Sequence, residues 1–305
     1  MRFAAMADDI LATAPVLRFA PSPNGALHLG HAYSALMNER LAAKTGGRLI
    51  LRIEDLDRAR CKPQFEAAIV DDLAWLGLRF PAPWRRQSEH RDDYAAALAR
   101  LDQQGLVYPC FCSRSEAARA SAGLRDPDGA PLYPGTCRAL TSTEAHARLA
   151  RGEKAAFRLD IGRALAGAPA HLSWVEYGEG AVPSERAAAP AAWGDIVLSG
   201  RDLAASYHLA VVVDDALQGV TDVVRGRDLF AATAVHRLLQ ELLFCPAPRY
   251  RHHRLVLDRN GAKLAKSRQS ASVAELRESG LNPGEVRTAL GFGAGAGGAL
   301  TVALG

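Results

Sequence analysis

The sequence predicts an α/β fold in which helices cover a parallel sheet and an inserted segment interrupts the pattern. Two observations carry this prediction. Strand-length apolar runs alternate with helix-length periodic segments over residues 16–104, and the alternation stops at residue 108 and resumes after residue 205. The chain has 305 residues, of which 49% are hydrophobic and 23% charged, so it is long enough to bury one large core or two smaller ones.

The elements on either side of the inserted segment follow from local patterns. Before it, strands are predicted at residues 16–20 and 48–53, and helices at residues 28–44, 63–76 and 91–104. After it, the near-continuous apolar residues 209–213 predict a buried parallel strand, residues 228–244 a crossover helix, and residues 254–258 a strand that leads to the Asn260-Gly261 turn. The glycine-rich residues 291–298 predict a loose tail.

These patterns divide the chain into five predicted segments. They are an N-terminal extension (1–15), the first half of the sheet domain (16–107), the inserted subdomain (108–205), the second half of the sheet domain (206–250), and a C-terminal segment with a basic loop and short helices (251–305).

Two histidines follow the first predicted strand and its Pro/Gly-rich turn. His28 and His31 lie three residues apart, a spacing that places them on one face of the predicted helix. The start of a helix favours phosphate because its backbone N–H groups and its dipole attract anions, and Gly30 lets a flat base approach the backbone. The strand–turn–helix context therefore predicts a nucleotide site.

A second phosphate signal lies near the C-terminal end, where Lys263 and Lys266 stand three residues apart beside Ser267. Such a loop can close over a triphosphate, although a lysine pair by itself is more typical of a solvated basic turn. Only its combination with the histidine pair favours a phosphate function, and together the two signals predict activation of a substrate by ATP.

Three of the five cysteines form a third group. Cys110 and Cys112 occupy positions i and i+2 of a predicted strand and so share a face, and a turn-rich excursion can return Cys137 to them. Three thiolates require a fourth ligand, for which His146 is one chemical candidate. Cys61 and Cys245 lack such neighbours and are predicted to be ordinary reduced thiols.

Several segments in order resemble the catalytic core of glutamyl-tRNA synthetases, which are class I aminoacyl-tRNA synthetases. They are residues 18–25, the histidine pair, and residues 52–57, 207–215, 219–226 and 263–267, and they span nearly the whole chain. The lysine loop departs from the usual form at Leu264 and Ala265. The resemblance implies a Rossmann-like parallel sheet with an inserted zinc-bearing subdomain and a short C-terminal helical segment.

Length points to one branch of this family. Glutamyl-tRNA synthetases continue past the lysine loop into a helical anticodon-binding region, whereas this sequence ends at Gly305, so we expect no anticodon-binding domain. The sequence resembles the glutamyl-Q tRNA(Asp) synthetases, which attach glutamate to the queuosine base of tRNA(Asp). Leu56 and Leu229 stand where the full-length enzymes commonly carry Thr and His.

The resemblance implies sites for glutamate, ATP and one structural zinc ion. Glutamate presents an ammonium and two carboxylates, so Glu54 is implied to hold the ammonium while Arg18 and Arg225 face the carboxylates. The other implied ligands are Phe19, Ala20, Pro21, Ser22 and Tyr207 for glutamate; Pro21, Gly30, Lys263, Lys266 and Ser267 for ATP; and Cys110, Cys112, Tyr133 and Cys137 for zinc. Tyr133 and His146 both remain candidates for the fourth zinc ligand.

The implied reaction needs no protein nucleophile. A glutamate carboxylate attacks the α-phosphorus of ATP in line, and Mg²⁺, His28, His31 and Lys266 stabilise charge on the phosphates. A hydroxyl of the queuosine cyclopentene ring then attacks the glutamyl-adenylate, and AMP leaves. Three alternatives stay open: a minimal glutamyl-tRNA synthetase that charges a tRNA 3′ end, another adenylate-forming nucleotidyltransferase, and a zinc-stabilised RNA-binding module.

Composition and charge limit the possible partners and the cellular location of the protein. The formal net charge of +4 permits contact with tRNA without requiring it. No stretch approaches the ~18 uninterrupted apolar residues of a membrane-spanning helix, and Asp8 and Asp9 interrupt what would be the apolar part of a signal peptide. We therefore expect a monomeric cytoplasmic protein with no membrane partner.

Overall fold

The computed structural model describes residues 14–180, 182–257, 271–293, 300 and 302–305. The described strands are β1 (Val16–Phe19), β2 (Arg48–Ile53), β3 (Arg85–Arg86), β4 (Val107–Cys110), β5 (Ala156–Leu159), β6 (Ser173–Glu176), β7 (Ser184–Ala187), β8 (Val197–Ser199), β9 (Asp222–Gly226), β10 (Arg249–His253), β11 (Val256–Leu257) and β12 (Ala303–Leu304). The described helices are α1 (Leu29–Thr45), α2 (Pro63–Trp75), α3 (Arg91–Gln103), α4 (Arg114–Ala120), α5 (Ser142–Ala150), α6 (Ile161–Gly167), α7 (Tyr207–Leu217), α8 (Thr233–Leu242), α9 (Val273–Glu278) and α10 (Pro283–Ala289).

The main sheet has seven described strands in the order β3-β2-β1-β9-β10-β6-β7. Neighbouring strands run parallel up to β6, and only the β6–β7 hairpin at the edge is antiparallel. Strand β9 lies near the middle, and its residues are buried except at the last position, as expected for a parallel strand covered on both faces. The prediction of an α/β fold with a mostly parallel sheet is confirmed.

Helices cover both faces of this sheet. One core packs residues from α3, α7 and α8 together, including Tyr94, Leu209 and Leu238. A second core joins α1 and α2 to α9 and α10, for example through Leu36 and Val286. Because the short C-terminal helices complete this second core, they are integral to the fold of the main-sheet domain. None of the described helices is long and apolar enough to span a membrane.

The inserted segment contributes to two sheets. Strands β4, β5 and β8 form a separate three-stranded antiparallel sheet that carries the cysteine group. Strands β6 and β7 lie within the same predicted segment, 108–205, yet they extend the edge of the main sheet. The segment is therefore not a separate layer, and the exact division into domains stays a prediction.

The predicted strand at residues 209–213 is wrong, because these residues lie within helix α7. Ser206 begins this helix, and its Oγ accepts from the backbone N–H of Leu209. The helix packs against both α3 and α8, so residues from Leu209 to Asp215 are all buried and the run shows no amphipathic period. The sheet instead resumes at β9.

Other elements differ only in their bounds. The helix predicted at residues 228–244 begins at Thr233, after a 3-10 turn at Arg227–Leu229. Of the strand predicted at residues 254–258, only Val256–Leu257 forms a strand in the structure, the short β11, which pairs antiparallel with β12. The longer strand β10 ends before this range, at His253. The five elements predicted before residue 105 lie within a residue or so of those observed.

Candidate active site

A cavity of about 530 Å³ opens where the central parallel strands end. Ala20 follows β1, Glu54 follows β2, Gly226 ends β9 and His253 ends β10, and all four line this cavity. The carboxyl edge of a parallel sheet is where α/β folds bind ligands. The full lining is Arg18, Phe19, Ala20, Pro21, Ser22, Asn24, His28, Gly30, His31, Ser34, Glu54, Tyr207, Val224, Arg225, Gly226, Asp228, Leu229, His253, Leu255 and Val256.

All the described residues predicted for glutamate, ATP or catalysis meet in this one cavity. The predictions for Lys263, Lys266 and Ser267 lie outside the described residues. The sequence did not single out several other lining residues, among them Asn24, Ser34 and His253. His253 is the last residue of β10 and directly precedes the strand predicted at residues 254–258, so no predicted strand end pointed to it.

The two histidines begin helix α1 in an unexpected way. His28 precedes the helix and caps it, so the prediction that both lie within the helix is wrong for His28. The N–H of Gly30 donates to Nδ1 of His28 over 3.0 Å, and the N–H of His28 donates to Nδ1 of His31 over 3.1 Å. Each neutral ring must therefore carry its proton on Nε2, which makes that nitrogen a donor suited to phosphate oxygens.

Gly30 is required by this cap. A Cβ atom at residue 30 would lie 2.9 Å from Cε1 of His28, closer than carbon atoms approach without displacement. The sequence predicted that Gly30 leaves room for a base. In the structure its lack of a side chain also leaves room for the His28 ring, which stacks 3.8 Å from the ring of His31.

A buried charge network forms one wall of the cavity. Arg18 donates through Nε to Oδ1 of Asp215 over 3.2 Å, and Arg52 donates through Nη1 to the same oxygen over 2.7 Å. Nη2 of Arg52 also lies 3.4 Å from Oε1 of Glu54. Burial raises the pKa of Glu54 even though Arg52 and Arg18 oppose the shift. For Asp215, burial acts in the same direction, but Arg18 and Arg52 outweigh it and lower the pKa.

Arg52 and Asp215 belong to segments that carried the family resemblance, yet neither residue was assigned a role from the sequence. Arg52 is fully buried, and its guanidinium also lies 3.7 Å from Oδ2 of Asp214. Asp214 in turn accepts hydrogen bonds from Arg85, Gln87 and Tyr94. Two adjacent carboxylates at the end of an apolar run must be paired when buried, and that was the signal for this network.

Arg225 lines the same cavity from strand β9, which neighbours β1, and its guanidinium is buried among neutral acceptors. Nε donates to Nε2 of His252 over 3.1 Å, and Nη2 donates to Oγ1 of Thr233 over 2.8 Å. Nη1 lies 3.1 Å from Nδ1 of His236 and 3.4 Å from the hydroxyl of Tyr207. The geometry thus presents a fixed positive charge beside the cavity, in addition to that of Arg18 on the neighbouring strand.

The cysteine group converges in the inserted segment. The Sγ atoms of Cys110, Cys112 and Cys137 all lie within 4.8 Å of one another. Cys112 Sγ lies 3.5 Å from Cys137 Sγ and 3.5 Å from the hydroxyl of Tyr133. Nδ1 of His146, in contrast, contacts the carbonyl of Ser142 on an exposed helix, and His146 is not part of the group. Of the two candidates, Tyr133 has the geometry of a fourth ligand.

The donor set fits a zinc ion in chemistry, since three thiols and one phenol converge in a small volume. Cys112 lies beyond the end of β4, so the expectation that Cys110 and Cys112 share one strand is wrong. Burial raises the pKa of Cys112 to about 11. Burial acts likewise on Cys137, but hydrogen bonds with Tyr133 and the Phe111 N–H outweigh it and lower the pKa. All five cysteines of the chain are free of disulfides.

Comparison with known proteins agrees with this geometry. Residues 16–293 match the family described as tRNA synthetases class I (E and Q), catalytic domain. The chain is 43% identical to the glutamyl-Q tRNA(Asp) synthetase of Rhodobacter capsulatus, over 91% of this chain and 100% of that protein. It is 42% identical to the protein of the same name from Symbiobacterium thermophilum, over 87% of this chain and 82% of that one.

Longer relatives match over part of their length. Glutamate–tRNA ligase 2 of Nitrosococcus oceani is 38% identical over 89% of this chain and 57% of its own length. Among solved structures, the glutamate tRNA ligase of Elizabethkingia meningosepticum in complex with its amino acid superposes with a TM-score of 0.73 at 25% identity. That match covers 91% of this chain, which spans 60% of the length of the solved chain.

Proposed function

Since this chain belongs to the class I (E and Q) tRNA synthetase family, we propose that it activates L-glutamate with ATP and transfers the glutamate to the queuosine base of tRNA(Asp). The observation that carries the proposal is the convergence of Arg18, Glu54 and Arg225 with the paired His28 and His31 in one cavity. The names of the Rhodobacter and Symbiobacterium relatives support the choice of acceptor.

The amino acid is bound by charge complementarity. Glu54 pairs with the substrate ammonium, while Arg18 and Arg225, which line the cavity from neighbouring strands, pair with its carboxylates. Asp215 holds Arg18 in place and balances part of its charge, so Arg18 directs donors to the substrate at a lower electrostatic cost. Phe19, Ala20, Pro21, Ser22 and Tyr207 enclose the substrate in this proposal.

In this proposal, the residues at the start of helix α1 bind the phosphates of ATP during the activation of glutamate. The Nε2–H groups of His28 and His31 donate to phosphate oxygens of ATP, and the positive end of the α1 dipole adds to their effect. Gly30 and Pro21 lie against the nucleotide, and Lys263, Lys266 and Ser267 contribute to the same phosphates. Mg²⁺ bound with ATP supplies further positive charge. The glutamate carboxylate attacks the α-phosphorus in line and pyrophosphate leaves.

Two further features belong to the proposal. Cys110, Cys112, Tyr133 and Cys137 hold one structural zinc ion, which ties the end of β4 to the following turns and so stabilises the inserted segment. We also propose that the protein acts in the cytoplasm as a monomer. The absence of disulfides among its five cysteines agrees with a reducing compartment.

The transfer step distinguishes this proposal from charging of a tRNA 3′ end. A hydroxyl of the queuosine cyclopentene ring attacks the carbonyl of the glutamyl-adenylate, the bond to phosphate breaks, and AMP leaves. Leu229 lines the cavity where full-length enzymes commonly carry His, so it helps to shape the acceptor side of the site.

The test has two stages. The purified protein is expected to exchange radiolabelled pyrophosphate into ATP with glutamate in the absence of tRNA. Labelled glutamate should then appear on queuosine-containing tRNA(Asp), and periodate treatment of the queuosine diol should abolish the labelling. Because periodate also oxidises a free 3′ diol, queuosine-lacking tRNA(Asp) is the control and should stay unlabelled. Equal labelling of that control, or labelling of tRNA(Glu), contradicts the proposed acceptor.

A further inference from the structure

Most of the side chains that hydrogen-bond to Arg225 lie outside the proposed glutamate site. Behind the cavity, His252 and His236 approach the guanidinium from β10 and α8, and each makes its contact through one ring nitrogen. Both imidazole rings are almost fully buried. The Thr233 hydroxyl, the Leu229 carbonyl and the Tyr207 hydroxyl accept the remaining hydrogen bonds, so five neutral acceptors surround one buried cation.

The direction of these hydrogen bonds fixes the tautomer of each histidine. A guanidinium only donates, so Nε2 of His252 and Nδ1 of His236 must both be unprotonated. His252 therefore carries its proton on Nδ1, which lies 2.6 Å from Oε2 of Glu176. His236 carries its proton on Nε2, which lies 3.2 Å from Nδ1 of His208. A chain of hydrogen bonds thus runs from Glu176 through Arg225 to His208.

Glu176 anchors one end of this chain. It ends strand β6 and accepts from the backbone N–H groups of Gly178, over 2.7 Å, and His252, over 3.0 Å, as well as from the indole of Trp174. These fixed donors orient the carboxylate toward Nδ1 of His252. The orientation of Arg225 thereby depends on the hairpin at the edge of the main sheet.

We propose that Glu176, His252 and His236 are positioning residues that hold the Arg225 guanidinium in the orientation that binds a carboxylate of the amino acid. They act through Arg225 and touch no reacting atom. Neutral acceptors leave the charge of Arg225 available to the substrate, whereas a carboxylate in their place would cancel it. The inference rests on the proposed function, because it assigns Arg225 to the glutamate site.

The histidines remain neutral near pH 7. Burial lowers the pKa of His236 well below its usual range, and Arg225 and His208 on neighbouring elements act in the same direction, with smaller effects from Arg18 and His252. Burial also lowers the pKa of His252, although Glu176 opposes the shift. Tyr207 is the remaining titratable group that packs against the His236 ring. These two histidines should therefore add no pH dependence to the KM for glutamate between about pH 7 and 8.

A pair of substitutions at His236 separates positioning from packing. In His236→Asn the Oδ1 atom can replace Nδ1 as the acceptor for Arg225, whereas His236→Leu offers no acceptor. We expect H236L to raise the KM for glutamate about 10- to 100-fold, the scale of one charge-assisted hydrogen bond. The KM for ATP should stay unchanged, and H236N should remain within about threefold of the unmodified protein. Both constants come from pyrophosphate exchange.

If circular dichroism shows that H236L is unfolded, a second variant tests the same positioning role. Glu176→Gln preserves the shape of the side chain, but its amide NH₂ can donate to Nδ1 of His252. The imidazole would then carry its proton on Nε2, and this N–H would face the N–H donor of Arg225 instead of accepting from it. E176Q should raise the KM for glutamate while leaving the KM for ATP unchanged. The matched control is Glu179→Gln, which removes a carboxylate from the same hairpin where it contacts Arg254, and it should leave both constants unchanged.

The outcomes separate the two levels of the argument. If the unmodified protein shows no exchange with glutamate, the proposed function is wrong. If exchange occurs, the positioning role is overturned when E176Q and every folded His236 variant leave the KM for glutamate unchanged. It is also overturned when the KM values for glutamate and ATP rise equally, or when H236N raises the KM for glutamate as much as a folded H236L does.

Discussion

The network at Asp215 allows a quantitative prediction for Asp215→Asn. Asp215 is buried and accepts from Arg18 and Arg52, so the substitution removes the negative charge that both guanidinium groups face. Arg52 keeps Glu54 at 3.4 Å and Asp214 at 3.7 Å, but Arg18 loses its ionic partner. Loss of one member of a buried ion pair costs about 3–5 kcal/mol, and the amide oxygen retains one acceptor, so we expect about 3 kcal/mol.

Thermal unfolding followed by circular dichroism measures this loss. For a chain of this size about 3 kcal/mol corresponds to a fall in Tm of roughly 4–6 °C. Asp202→Asn is the matched control, because Asp202 pairs with Lys154 at 2.6 Å but both side chains are mostly exposed. Its Tm should stay within about 2 °C of that of the unmodified protein. Equal shifts for the two variants would refute the reasoning from burial.

The pH dependence of the same variant follows from linkage. The pKa of Asp215 is depressed in the folded state, so its carboxylate contributes stability above the ordinary pKa of an aspartate, and that contribution is lost as the pH falls through the folded value. The Tm difference between D215N and the unmodified protein should therefore be full near pH 7 and shrink below about pH 4. A difference that grows on acidification would contradict the assignment of the charge.

Three further predictions concern the metal, the phosphates and acid stability. Cys137→Ser should lower the zinc content measured by mass spectrometry and reduce Tm, whereas Cys245→Ser should leave the zinc content unchanged; a zinc-free unmodified protein would contradict the metal site. Lys266→Ala should lower pyrophosphate exchange about 100-fold with little effect on glutamate binding, and unchanged exchange would remove Lys266 from the mechanism. Burial would raise the pKa of Glu176, but hydrogen bonds from His252 outweigh it and lower the pKa to about 2, so part of the folding stability should disappear between about pH 4.5 and 2 in urea titrations and be missing throughout in E176Q.

The parts of the fold that depend on local signals could be predicted from the sequence. The elements before residue 105 were placed closely because their periods and end signals are local, as with the start of α2 at Pro63 and the glycine turn that follows α1. The lining residues that follow β1 and β2 were also accessible from predicted strand ends, whereas Tyr207 and Arg225 were identified only through the family resemblance, since β9 was not predicted. The roles of the lysine loop stay predictions.

The partners of Arg225 could not be predicted in the same way. His236 lies 11 residues from Arg225 and His252 lies 27 residues away, while Glu176 lies 76 residues from His252. Their contacts arise only when α8 packs on the sheet and the β6–β7 hairpin joins its edge. No spacing rule connects such positions, so single-sequence reasoning identifies the arginine without the groups that orient it.

The correction at residues 209–213 has a consequence for the site. In a strand, Asp214 and Asp215 would point to opposite faces, and only one of them could approach the cavity wall. In helix α7, Tyr207 lies two turns before this pair and therefore on nearly the same face. One rigid element thus contacts Arg225 through Tyr207 and Arg18 through Asp215. The two arginines themselves stand on the neighbouring parallel strands β1 and β9, so the sheet and a single buried helix, rather than loops, set the distance between their guanidinium groups.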